Sequence, residues 1–328
     1  MKVPLITPEK KLEINTFLAT KHPGSICVAN YKGGVGKTTI VCLLGYYLTE
    51  KTGDDVLLFD IDPQCSLSLA VGFDPDEVSK TELTIYNLVK PSKWTRIRKT
   101  NFDNYVFKVP DSLSPKGLFI IRGSFDVDNL DLEIAKSFAD EGKRRLDELS
   151  LYCKQMLNSF IDYKYIIVDC PPNKMFLTQA LLRACSFYLP VTIPDAISVY
   201  GMPRLLRWVK QIPEGDRPKL LGYILNAINR TGGIPGGKVY SQQSAEADLK
   251  RSIKPDLDKL EKEVIGDDPL IGVIPRLDVV ARFLGERGTK FSRYEFSKKT
   301  SGQPTVDECL DSLTDEIIRR MGEYRAKI

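Results

Sequence analysis

The stretch ICVANYKGGVGKTTIVCLL, residues 26 to 44, constrains the fold more than any other part of the chain. A short apolar run leads into Gly33, Gly34 and Gly36, and residues with helical apolar spacing follow until Gly53. Glycines let the backbone bend so that successive N–H groups converge, and the helix that follows adds its positive end. The pattern therefore predicts a strand, a phosphate-binding loop and a helix, in that order.

This loop matches G-x-x-x-x-G-K-[ST] except at its first position, where Tyr31 stands in place of glycine. Lys37 is predicted to reach the β and γ phosphates of a nucleotide, and the Thr38 hydroxyl to complete a magnesium shell. The residues that the motif predicts to bind the nucleotide here are Gly33, Gly34, Val35, Gly36, Lys37, Thr38 and Thr39. The motif does not require Lys32, so a second lysine in the loop needs its own explanation.

Carboxylates follow two further apolar runs. The run VLLFDID places Asp60 and Asp62 at the end of one predicted strand, and YKYIIVDCPP places Asp169 at the end of another. Ligands of parallel sheets bind beyond the carboxyl ends of the strands. We predict that Asp169 holds magnesium through water. For Asp60 and Asp62 three roles stay open: orienting the attacking water, contacting magnesium or capping the next helix.

Strands and helices alternate along much of the remaining chain. The runs GLFIIRGS, FYLPVTIP, KLLGYILNAIN and PLIGVIPR predict strands, and residues 128 to 160 predict a long helix. Because most of these strands are apolar on both faces, we expect an α/β fold, a mostly parallel twisted sheet with helices on both faces. We expect one domain over residues 1–328, with a short helical extension over 1–23 and a helical insert at about 240–265.

Composition argues against several classes of protein. No apolar run approaches the roughly 18 residues that span a bilayer, and the first residues lack a signal-peptide core, which indicates a cytoplasmic protein. The seven cysteines are scattered without a CxxC pair, so we expect reduced core thiols rather than disulfides or a zinc site. The single histidine, His22, is predicted in a surface loop. A net charge of +4 permits contact with nucleic acid without requiring it.

The motifs KGGVGKTT, VLLFDIDPQ and YKYIIVDCPP together resemble the ParA/MinD family of deviant Walker A ATPases, and specifically its ParA/Soj branch. The resemblance is close over residues 25–210 and looser over 220–292. It implies a P-loop NTPase fold, ATP and Mg²⁺ as cofactors, and hydrolysis of ATP to ADP and phosphate that is weak unless a partner stimulates it. It also implies a homodimer with ATP sandwiched at the interface, in which Lys32 touches phosphates bound by the other subunit.

The same resemblance assigns roles to single residues. Asp62 matches the family's water-orienting aspartate, Asp60 is its magnesium-side neighbour, and Asp169 matches the Walker B aspartate. Asn226 falls where family members contact adenine, and Pro275 falls in the loop that covers the base.

Members of this family commonly bind DNA without sequence preference in their ATP dimer. Basic residues at or near the corresponding places are Arg230, Arg276, Arg282, Arg287 and Lys290. The run KWTRIRKT, residues 93 to 100, is a second basic candidate, although most such runs are only solvated surface. The resemblance thus implies a nucleoid-associated switch that partitions DNA or positions cargo, with a ParB-like or other cargo adaptor as its partner and no membrane contact.

Three rival functions fit the sequence less well. A MinD-like membrane-associated positioning ATPase needs a basic amphipathic last helix, but the apolar stripe of residues 306–324 suits docking on the core. An iron–sulfur carrier needs two accessible cysteines, and a tyrosine kinase of this superfamily needs a terminal tyrosine cluster. With about two dozen residues before the loop, we expect no helix-turn-helix extension of the kind found in longer relatives.

Overall fold

The computed structural model describes residues 21–94, 101–110, 117–136, 142–228, 242–275 and 304–327. The strands are β1 (Ser25–Ala29), β2 (Val56–Asp60), β3 (Val106–Lys108), β4 (Leu118–Ile121), β5 (Tyr165–Asp169), β6 (Phe187–Thr192), β7 (Lys219–Leu220), β8 (Tyr223–Ile228) and β9 (Leu270–Pro275). The helices are α1 (Lys37–Thr52), α2 (Ser66–Ala70), α3 (Pro75–Ser79), α4 (Ile85–Val89), α5 (Val127–Lys136), α6 (Gly142–Asn158), α7 (Phe176–Ala184), α8 (Ala196–Lys210), α9 (Gln242–Ile253), α10 (Lys259–Ile265) and α11 (Val306–Lys327).

Within these residues the strands form one nine-stranded sheet in the order β3-β4-β2-β5-β1-β6-β8-β9, with β7 paired to β6. All pairings are parallel except that of β3 with β4. The central strands β1, β2, β5 and β6 are buried at every position, because helices cover both faces of the sheet. The predicted fold class is confirmed.

The sequence did not predict strand β3 or the short helices between residues 66 and 93. β3 is only three residues long, lies at the sheet edge and is partly exposed, so it carries no clear alternating pattern. In the segment where we predicted one helix over 128–160, the structure describes two helices, α5 and α6, and the residues between them lie outside the described ranges.

Helix α11 docks its apolar stripe on the core, as predicted. Its buried residues are Val306, Leu310, Leu313, Thr314, Ile317, Arg320, Met321 and Tyr324. The Tyr324 hydroxyl donates a hydrogen bond to the Leu220 carbonyl (2.8 Å), and the Tyr47 hydroxyl of α1 donates one to Asp307 (2.6 Å). No helix in the described part of the chain is long and apolar enough to cross a membrane.

The predicted insert at about 240–265 contains two helices, α9 and α10, separated at Pro255 by a short 3₁₀ turn, Lys254–Asp256. Asp258 and Glu261 form a capping box that starts α10. The predicted extension over 1–23 lies outside the described residues except for 21–23, which are not helical.

His22 contradicts its predicted place in a surface loop. Its side chain is only 1% exposed, and its Nδ1 accepts a hydrogen bond from the Gly24 N–H (3.1 Å). Burial lowers the pKa of His22 to about 4. The flanking proline and glycine suggested a loop, but the chain turns inward here to start β1. The cysteines agree with prediction: all seven are free thiols, and only Cys309 is not fully buried.

Candidate functional site

The glycine-rich loop joins β1 to α1 at the carboxyl edge of the sheet. Gly34 and Gly36 have φ values of +72° and +90°, which favour glycine. Gly36 is also the N-cap of α1 and offers no side-chain cap to its first turn. A Cβ at Gly36 would lie 2.0 Å from Asn226 Nδ2, so space as well as conformation requires glycine there.

Lys37, the first residue of α1, lies buried along the loop. Its side chain folds back, and its Nζ donates a hydrogen bond to the Lys32 carbonyl (3.2 Å). Burial lowers the pKa of Lys37, while the nearby Asp169 opposes this shift. The ammonium group is therefore held inside the loop, where the motif predicts contact with phosphates.

Thr38 and Asp169, both predicted to lie near magnesium, are in direct contact. The Thr38 hydroxyl donates a hydrogen bond to Asp169 Oδ2 (2.6 Å). Asp169 is buried, and its Oδ1 has no hydrogen-bond partner among the described residues. Burial, and after it the charge of Asp60, raises the pKa of Asp169 well above its usual range, whereas the Thr38 hydrogen bond lowers it.

Asp60 lies directly beside Asp169, because the two residues are register partners at the ends of β2 and β5. Its Oδ2 accepts hydrogen bonds from the Ser68 N–H and the Ser68 hydroxyl, both 2.7 Å, while its Oδ1 has no hydrogen-bond partner in the part of the chain that the structure describes. Burial raises the pKa of Asp60 to about 6. The Gly123 N–H in turn donates to the Ser68 hydroxyl (2.8 Å), so one oxygen of Asp60 is fixed by α2 and by the residues after β4.

These carboxylates fit a divalent cation. Asp60 Oδ1 and Asp169 Oδ1 are buried oxygens at neighbouring strand ends, and neither has a hydrogen-bond partner within the described ranges. The Thr38 hydroxyl already contacts one of these carboxylates. Mg²⁺ prefers such oxygen ligands and completes its shell with phosphate and water. A cation would also offset the cost of two buried carboxylates side by side.

Asp62 lies two residues beyond β2, in the turn that leads into α2. It is partly exposed, and its Oδ1 accepts a hydrogen bond from the Gln64 N–H (2.9 Å). Its charge influences the pKa of both Lys37 and Asp169, so it lies near both. The structure thus brings Asp62 to the edge of the site while leaving it open to solvent.

Lys32 points away from the buried part of its own loop. Its Nζ forms an ion pair with Asp195, and the two side chains are 30% and 36% exposed. The Lys32 N–H donates to Asn30 Oδ1 (3.0 Å), and Asn30 Nδ2 donates to the Val191 carbonyl (2.7 Å). Sequence reasoning missed Asp195, although it stands three residues beyond β6, at the edge where ligands bind.

Tyr31, which replaces the first glycine of the motif, packs against residues from two other elements. Its ring lies 5.8 Å from that of Trp208 in α8, and Lys174 Nζ lies 4.8 Å from the Tyr31 ring centroid. The substitution thus links the start of the loop to α8 and to the segment between β5 and α7. Neither Trp208 nor Lys174 was predicted from the sequence.

Asn226 and Pro275, the two residues predicted to lie near the nucleotide base, belong to different strands. Asn226 lies in β8, and its Nδ2 donates a hydrogen bond to the Val35 carbonyl of the loop (2.9 Å). Pro275 is the buried last residue of β9, so its predicted place in a loop is wrong. Their contacts with a base stay predictions.

The residues predicted to bind DNA lie outside the described residues, as does most of the run 93–100; they are Arg230, Arg276, Arg282, Arg287 and Lys290.

Comparison with known proteins agrees with this geometry. A family model described as an AAA domain matches residues 24–221, more than half of the chain. The chromosome-partitioning ATPase Soj of Treponema pallidum is 27% identical, over 91% of this chain and 98% of its own. The chain belongs to the ParA/MinD family of P-loop ATPases, in its ParA-type branch.

Two further relatives extend the comparison. An uncharacterized protein of Methanocaldococcus jannaschii is 30% identical, over 78% of this chain and 86% of its own. The structure of a Cyanothece McdA variant in complex with ATP matches this ParA-type chain with a TM-score of 0.63 and 19% identity, covering 90% of this chain and 97% of that one. At this identity the likeness shows the fold alone.

Proposed function

We propose that this protein is an ATP-dependent dimerising switch, which positions DNA or another cargo and is reset by partner-stimulated hydrolysis. The observation that supports it best is the different placement of the two lysines of the loop. Lys37 is buried and folds over the loop, whereas Lys32 is partly exposed and pairs with Asp195. The Lys37 ammonium group is therefore available to the nucleotide of its own loop, and the Lys32 ammonium group is available to a group outside the loop.

In this proposal the loop residues 32–39 bind the phosphates of ATP, with Lys37 contacting the β and γ phosphates. Thr38, Asp60 and Asp169 would hold magnesium, which when bound neutralises phosphate charge and orients the phosphates. Asp62 orients the water that attacks the γ phosphate. Its partly exposed position beyond β2 suits this role, since the water must enter from solvent.

Lys32 acts in trans. Two nucleotides facing each other across a two-fold interface bring several negative charges together, and a lysine supplied by each subunit to the other nucleotide offsets them. ATP thereby becomes part of the dimer interface, and hydrolysis weakens it.

Sedimentation velocity with ATP, ADP and no nucleotide tests the proposal. Wild-type protein should dimerise with ATP only. Lys32→Ala should bind nucleotide almost normally yet remain monomeric, whereas Lys37→Ala should lose nucleotide binding. Asp62→Ala should stay dimeric with ATP because hydrolysis is blocked. A Lys32→Ala variant that dimerises like wild type would refute the trans contact, and normal turnover by Asp62→Ala would remove that residue from catalysis.

The ATP dimer is proposed to hold nucleoid DNA through phosphate contacts, and a ParB-like or other cargo adaptor releases it by stimulating hydrolysis. A gel shift with random-sequence DNA, with and without ATP, tests this step. Replacing Arg230 and Arg276 together should weaken binding and flatten its salt dependence. Unchanged affinity would refute their assignment. The membrane-associated alternative gains no support from α11, whose apolar stripe is already buried against the core.

A further inference from the structure

Helix α5 and the turn before it present two large apolar side chains to solvent. Phe125 is 49% exposed and Leu132 is 57% exposed, whereas Val127, Leu130 and Ile134 on the other side of the helix are fully buried. Phe125 lies in the turn two residues before α5, and Leu132 lies within the helix. Exposed apolar side chains grouped on one element mark interaction sites more often than isolated ones do.

Acidic residues surround these apolar side chains. Residues 125–134 contain four carboxylates and no lysine or arginine, in a chain whose net charge is +4. Asp126, Asp128 and Glu133 are exposed, and Asp126 accepts a hydrogen bond from Asn129 Nδ2 (3.2 Å). We name Phe125, Leu132 and these three carboxylates the α5 surface.

Residues beside the α5 surface make hydrogen-bonded connections to two other parts of the fold, and one of these connections reaches the nucleotide site. Gly123, two residues before Phe125, reaches Asp60 through the Ser68 hydroxyl. Asp131, next to Leu132, accepts hydrogen bonds from the Phe176 N–H with both carboxylate oxygens (2.9 and 3.2 Å) at the start of α7. A protein seated on this surface would therefore contact elements that are hydrogen-bonded to the Asp60 side of the site and to the start of α7.

We propose that the α5 surface is the docking site for a basic amphipathic segment of a protein partner, one whose apolar residues are flanked by lysine or arginine. Charge complementarity selects this occupant. Acidic residues repel DNA and anionic lipid, and a two-fold contact between copies of this chain would bring the same carboxylates together. This inference goes beyond the proposed function, since docking requires neither ATP nor hydrolysis.

Fluorescence anisotropy with two synthetic helical peptides tests the docking. Both are about 18 residues long, or about five turns, with the same leucine stripe. One carries lysine at the polar positions and the other glutamate. The lysine peptide should bind the wild-type protein and the glutamate peptide should not. Phe125→Ser with Leu132→Ser should weaken binding of the lysine peptide by about tenfold or more, and Asp128→Lys should weaken it as well.

Ile161→Ser provides the matched control. Ile161 is 58% exposed but precedes β5, at the opposite edge of the sheet from Phe125, so its loss should leave peptide binding unchanged. Equal binding of the lysine peptide to the wild type and to the double variant would overturn the proposal, as would equal binding of both peptides. Loss of ATP-dependent dimerisation in the double variant would also overturn it, by assigning the surface to a second copy. Because the binding assay needs no nucleotide, its result does not depend on whether the protein hydrolyses ATP.

Discussion

Lys32 and Asp195 form an ion pair within a single chain, one residue at the start of the phosphate-binding loop and the other just beyond β6. If Lys32 contacts a nucleotide bound by a second subunit, it must first leave Asp195. The ion pair therefore competes with dimerisation. Because both side chains are partly exposed, it contributes no more than about 1 kcal/mol.

Asp195→Asn should favour the ATP-bound dimer. The amide removes the charge that holds Lys32 in its own chain, so we expect the dimer dissociation constant in ATP to fall, by about fivefold at most. Sedimentation velocity over a range of protein concentrations measures this constant.

Asp147→Asn is the control for Asp195→Asn, since Asp147 forms a comparable partly exposed ion pair with Arg183 in other helices. It should leave the dimer constant unchanged. A weaker dimer in Asp195→Asn would instead indicate that Asp195 itself contributes to the interface.

Gly36→Ala should destroy nucleotide binding. The φ of +90° and the 2.0 Å approach of a Cβ to Asn226 Nδ2 both oppose alanine, so the loop must move. The positive φ alone costs about 1–2 kcal/mol. Titration with a fluorescent ATP analogue measures binding, and thermal unfolding measures stability.

Gly34→Ala separates these two causes, because Gly34 also has a positive φ but no atom lies within 4 Å of the position that a Cβ would take there. It should lose less stability than Gly36→Ala. When Asn226→Ala is combined with Gly36→Ala, part of the free energy of unfolding that Gly36→Ala loses should be recovered. When it is combined with Gly34→Ala, none of the loss should be recovered. Equal losses in the two glycine variants would show that the Asn226 contact has no role.

Asp60→Asn should change how stability depends on pH. Folded Asp60 has a pKa of about 6 against an ordinary value of 3.8, so between these pH values the folded state binds more protons than the unfolded state. The free energy of unfolding contributed by this group therefore falls as pH rises from about 4 to 6, by about 3 kcal/mol in total. Without nucleotide and metal, Asp60→Asn should gain stability relative to wild type over this range.

Urea unfolding at several pH values, with EDTA present, measures this difference. Ser68→Ala serves as the companion variant, since it removes a hydrogen bond that lowers the pKa of Asp60 and should extend the fall in stability to higher pH. Magnesium with ATP should reverse the ranking, because only the wild type retains both metal-side carboxylates. A stability difference that does not vary with pH would contradict the raised pKa of the buried Asp60.

His22 has the opposite effect in an overlapping pH range. Its folded pKa of about 4 lies below the ordinary 6.5, so the unfolded state binds the extra proton and stability falls as pH drops from about 6.5 to 4. His22→Asn keeps an acceptor for the Gly24 N–H but cannot titrate. Both proteins compared here carry Asp60→Asn. The one that also carries His22→Asn should lose less free energy of unfolding between pH 7 and pH 5 than the one that keeps His22, and urea unfolding measures both losses. Parallel losses would place His22 outside the buried interior.

The sequence alone was sufficient for the features that depend on local chemistry. Gly33 to Thr38 predicted the phosphate-binding loop, and the apolar strands predicted a sheet covered on both faces. Asp60 and Asp169 were predicted at strand ends because an apolar run that stops at a carboxylate marks where a buried strand meets solvent or ligand. The apolar stripe of α11 was also predicted to pack on the core, because the apolar residues of this segment recur with the helical period of 3.6 residues.

Tertiary structure alone decided which distant residues meet. Asp195 pairs with Lys32 from 163 positions away, and Asn226 reaches the loop carbonyl of Val35 from 191 positions away. His22 is buried although its neighbours in sequence suggest a surface turn. Such contacts follow from strand order, which places β1 between β5 and β6, and local propensity carries no information about that order. The strand, loop and helix were therefore predictable from the residues of the motif, but the partner of Lys32 was not.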